Sequence, residues 1–183
     1  MFQGWENFYI LIGSASGALI GLLFVVVTLT NNLDRDRALR GAALFMTPTV
    51  VLFTTVLMIG AVATAPGLPV WADCDLLGAI ALAGVVYGLC VVAGFIQRKE
   101  MAAHWSDIWC YAVFPAVAFA ALGLADALIW AAPKLVPYGV AVVVLGMLLV
   151  GIRNAWDLIT WIAPRRAAPD FTGEAPPAQP EGP

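Results

Sequence analysis

Five apolar stretches, about Phe8 to Leu29, Gly41 to Thr64, Asp75 to Ile96, Ile108 to Trp130 and Tyr138 to Trp161, occupy most of this 183-residue chain. Each is long enough for a helix to cross roughly 30 Å of hydrocarbon, which takes about 20 residues. Helices follow from the solvent. An unpaired backbone amide in lipid costs several kcal/mol, and the stretches run continuously apolar without the alternation of a barrel strand. With 62% hydrophobic residues, 11% charged residues and a mean hydropathy of +0.89, a soluble domain is excluded. The expected fold class is therefore all-α, an integral membrane bundle of five transmembrane helices. Pro115 falls inside the fourth stretch, where the missing amide predicts a kink and a freed carbonyl met by a neighbouring helix.

The bundle is expected over residues 1–163, with a Pro/Ala-rich tail over 164–183. That tail has one aromatic, Phe171, too little apolar surface to order itself, so disorder is expected there. Orientation comes from the cations. Arg35, Arg37 and Arg40 lie between the first two stretches, Arg98 and Lys99 between the third and fourth, and Arg165 and Arg166 after the fifth. The opposite side has Lys134 as its sole cation, so positive charge predicts an amino terminus outside and a carboxyl terminus in the cytoplasm. Tryptophans agree with this arrangement. Trp5, Trp71 and Trp130 mark one headgroup level with Tyr138, and Trp105, Trp109, Trp156 and Trp161 mark the other, while Tyr87 falls mid-span. Glu6 and the absence of a preceding cation argue against a cleavable signal peptide. Seven arginines against two lysines, with many alanines and prolines, suggest a GC-rich bacterial genome and hence a bacterial plasma membrane.

Gly13, Gly17 and Gly21 recur every four residues on the first stretch, and Ser14 and Ala18 widen the same face. Such a stripe lets another helix backbone approach closely, either within the bundle or in a homo-oligomer. Gly84 and Gly88 form a second groove of this kind on the third stretch.

Intramembrane polar groups are the other informative class, because a charge near mid-membrane costs about 2.5 to 3.5 kcal/mol on insertion scales. Arg153 and Asp157 stand four apart and can pair on one helix face, with Asn154 adjacent. Snorkelling anchors the pair at the helix end; a gate or partner-docking point is the sharper reading. Thr47, Pro48 and Thr49 share the depth of Arg153, so an arginine hydrogen bond to a threonine or carbonyl there is expected. Asp126 lies one turn below Trp130, where it is either an interfacial carboxylate or a proton- or cation-binding group, with Ser14 and Ser16 of the same leaflet as possible donors.

Enzyme chemistry finds little support. His104 is the single histidine, the three cysteines lack ligand spacing, and there is no phosphate loop or nucleophile elbow. Asp126 and Asp157 do not match an intramembrane aspartyl protease, since residues 123–126 read Gly, Leu, Ala, Asp rather than Gly, x, Gly, Asp. No cofactor or metal is expected, and a net charge of −3 disfavours nucleic acid. The expected partners are the lipid bilayer and either a second copy or a larger membrane protein. The expected role is a non-enzymatic accessory or regulatory subunit acting through helix packing. The alternative is an oligomeric transporter or channel using Asp126 and the Arg153/Asp157 cluster.

Overall fold

A computed structural model of the protein describes residues 1–29, 35–97 and 109–162, whose regular elements are helices, with no strand. The helices are α1 (Glu6–Leu29), α2 (Arg35–Thr64), α3 (Val70–Gln97), α4 (Phe114–Ala127) and α5 (Val136–Ile162), with a π-helical turn at Trp109–Val113 running directly into α4. Among the described residues, five helical segments are long and apolar enough to cross a membrane, the π turn counting with α4. The expected tail over 164–183, His104, Trp105, Arg98 and Lys99 lie outside the described residues.

Helix ends overrun the apolar stretches. α2 starts at Arg35 and α3 at Val70, several residues before Gly41 and Asp75. Hydropathy marks the part of a helix that needs an apolar solvent, whereas backbone hydrogen bonding continues until a breaker intervenes. For α3 that breaker is Pro69, whose carbonyl accepts the Ala72 and Asp73 amides at 2.9 and 3.2 Å. The turn before it places Gly67 at φ +74°, a left-handed conformation that side chains disfavour. α4 stops at Ala127, short of Trp130, in a series of turns that includes Ile129 N–H to Asp126 O at 3.0 Å. α5 carries Pro137 in its first turn, where no intrahelical donor is missed.

The helices form a sequence of neighbours rather than a ring: α1 packs on α2, α2 on α5, α5 on α4 and α4 on α3. α2 and α5 are therefore central and α1 and α3 lie at the rim. Tyr9, Phe53, Phe119, Leu122 and Met147 are fully buried between them. Outside, Leu11, Leu82, Val142 and Leu149 are each at least 66% exposed. Exposed apolar surface on every helix would be unfavourable in water at about 25 cal/mol per Å², and suits a hydrocarbon surrounding.

Candidate functional site

Asn154 is fully buried on α5 and faces the π turn. Its Nδ2 donates to Cys110 O at 3.2 Å, and its own backbone carbonyl accepts from Tyr111 Oη at 3.1 Å. Pro115 explains the arrangement. In π register each carbonyl is paired with the amide five residues on, and for Cys110 that position is Pro115, which has no N–H. Asn154 supplies the missing donor from the neighbouring helix. The expected local disturbance at Pro115 thus takes the form of a π turn, and the freed carbonyl is met across the bundle. Asn154 Oδ1 is buried with no hydrogen-bond partner among the described residues.

Arg153, one position earlier, points about 100° away around the helix and is solvent- or lipid-accessible. Its Nη1 lies 3.0 Å from Asp157 Oδ2, an i,i+4 pair whose side chains are 41% and 39% exposed. The three α5 residues read together in the sequence therefore divide, with Asn154 inside the bundle and the ion pair on its surface. Thr47 and Thr49 divide in the same way: Thr49 is fully buried and Thr47 exposed.

At the opposite end of the bundle Asp126 faces α3. A Cβ added to Gly78 would lie 2.9 Å from Asp126 Oδ2, so glycine provides the room in which this carboxylate sits. Asp126 Oδ1 is buried without a hydrogen-bond partner among the described residues. Ser16, an expected donor to Asp126, instead donates to Phe53 O of α2 at 2.6 Å, and Ser14 faces outward. α1 lies across α2, away from α4, which is why these serines and Asp126 sit on separate interfaces. Asp73 is buried at the start of α3, with the Met1 amino group 3.5 Å from its Oδ2.

The glycines sort by partner. Gly13 meets Gly60 of α2, where an added Cβ would lie 3.0 Å from Tyr9 O and 3.2 Å from Gly13 Cα. Among the described residues, Gly17 and Gly21 have nothing within 4 Å of an added Cβ. On α3, a Cβ at Gly84 would run into the Phe119 ring, and one at Gly88 would lie 3.2 Å from Ala116 Cβ. That groove is filled by α4.

Sequence reasoning did not single out Gly60, Gly78, Gly151 or Tyr9. Gly151 admits the ring of Phe53, 2.5 Å from an added Cβ, and Tyr9 Oη donates to Pro137 O at 3.0 Å. Pro137 offered no signal of this bond, since a first-turn carbonyl already accepts an intrahelical amide and takes the Tyr9 hydroxyl on its second lone pair. The isolated glycines offered none. Cys74, Cys90 and Cys110 are free thiols, and among the described residues no group of three or more His, Cys, Asp or Glu side chains could hold a metal. No protein-family model matches the chain, and no curated protein or solved structure is a match for it.

Proposed function

We propose that this chain is a multi-pass protein of a bacterial plasma membrane, with its amino terminus outside, and a non-enzymatic accessory or regulatory subunit. It acts by packing α1 against a helix of a larger membrane protein or of a second copy. The observation that carries this reading is the unused half of the small-residue stripe. Gly13 is packed on Gly60 within the bundle, whereas an added Cβ at Gly17 or Gly21 would meet nothing within 4 Å among the described residues, and Ser14 and Ala18 are exposed beside them. Close backbone approach supplies van der Waals attraction where lipid removes the hydrophobic drive between helices. Gentle purification with mass determination should find the wild-type protein in a complex with itself or a larger protein. Gly17→Leu should leave a folded monomer; an unchanged complex in that variant would refute the reading.

A second reading, an oligomeric transporter or channel for a small cation or proton, is favoured by one group. Asp126 Oδ1 is buried without a donor among the described residues, as suits a carboxylate that binds a proton or cation. Asp126→Asn should then abolish pH-dependent flux in liposomes. Flux that is equal in both proteins, or absent in both, refutes this second reading.

A further inference from the structure

A cavity of about 210 Å³ opens on the flank of the bundle between α4 and α5, with Leu52 of α2 behind it. Every side chain lining it is apolar, among them Pro115, Ala118, Val143 and Val150. It exceeds the roughly 150 Å³ at which a dry apolar cavity accepts benzene. Gly146 borders it, and a Cβ there would meet nothing within 4 Å, so the volume runs unobstructed along α5.

What lies at the end of this groove distinguishes one occupant. Arg153 follows Val150 by three residues and Gly146 by seven, which puts it on the same side of α5, roughly 10 Å further along. Asp157 stands one turn beyond it, paired at 3.0 Å and partly exposed. The mouth of an apolar groove therefore presents a neutral but dipolar pair. A guanidinium matches a phosphate, and a carboxylate matches an ammonium that still has N–H groups to donate. A headgroup with phosphate alone meets repulsion from Asp157, and a trimethylammonium headgroup brings the carboxylate no hydrogen.

We propose that this groove is a lipid site, holding one acyl chain of a phospholipid whose phosphate and primary ammonium sit over Arg153 and Asp157. The inference rests on the reading that the helices lie in a bilayer, and that premise is checked separately by carbonate extraction of the membrane fraction. The test equilibrates the purified full chain with vesicles of equal phosphatidylethanolamine, phosphatidylcholine and phosphatidylglycerol. The lipid retained after delipidation is then counted by native mass spectrometry.

Wild type should retain phosphatidylethanolamine severalfold over the other two. Gly146→Leu places a side chain in the groove from a position where a Cβ meets nothing within 4 Å, so it should retain severalfold less lipid at an unchanged unfolding temperature. Asp157→Asn should invert the preference toward phosphatidylglycerol, and Arg153→Gln should erase it. Equal retention of the three lipids by wild type, or undiminished retention by Gly146→Leu, would overturn the site. Either result with the protein still in the carbonate pellet leaves the membrane reading intact; a protein released by carbonate removes both.

Discussion

Asn154 is the residue on which the Arg153 end of the bundle turns. It completes a hydrogen bond that Pro115 cannot make and receives another from Tyr111, so one side chain and its backbone tie α5 to the π turn. Removing the amide while keeping the volume leaves Cys110 O buried without a donor, which costs about 1 to 3 kcal/mol. Asn154→Leu should therefore lower the unfolding temperature and make the buried Cys110 thiol react faster with a maleimide. Equal reactivity would mean that the π turn is held by packing alone. The sequence marks Asn154 as an unusual polar group in an apolar stretch, and Arg153 and Asp157 equally so. Nothing local says that the three separate. Neighbouring positions on a helix diverge by about 100°, and which direction is inward depends on where the other helices stand.

At the scale of the element, a helix stripe of small residues has two sides with different fates. Gly60→Leu would force the α1 and α2 backbones apart, since even a Cβ there sits 3.0 Å from Tyr9 O, and overpacking of this kind costs about 1 to 3 kcal/mol. At Gly17 an added Cβ meets nothing within 4 Å among the described residues, so Gly17→Leu should leave thermal unfolding in detergent unchanged. Equal destabilisation by both substitutions would contradict the geometry of the α1–α2 crossing. The period of four along α1 is plain in the sequence. Its meeting point is not, because Gly60 is a lone glycine whose importance comes from its position opposite Gly13. Proline is more legible: a missing amide in an apolar helix demands a donor, although not which residue provides it.

For the whole molecule, the rim position of α1 and α3 leaves two helices with most of their surface outward, and it is there that association with another helix has room. Orientation belongs to this scale as well. A reporter fused after Pro183 should be active only in the cytoplasmic sense, and labelling of that end from outside intact cells would reverse the proposed topology.

The number of helices, their approximate extents and the absence of strands in the described residues were determined by the sequence alone. In the hydrocarbon surroundings proposed for it, a continuous apolar chain has almost no other way to satisfy its backbone. The tertiary structure decided which helices are central, which half of a glycine stripe is used, and which carbonyl each polar side chain reaches. Those outcomes depend on surfaces that meet only after folding, as where Tyr9 bonds to Pro137 across 128 positions. In a chain this uniformly apolar, hydrophobicity cannot choose among possible neighbours. Shape complementarity and a few hydrogen bonds make that choice, and both are properties of pairs of helices rather than of either one.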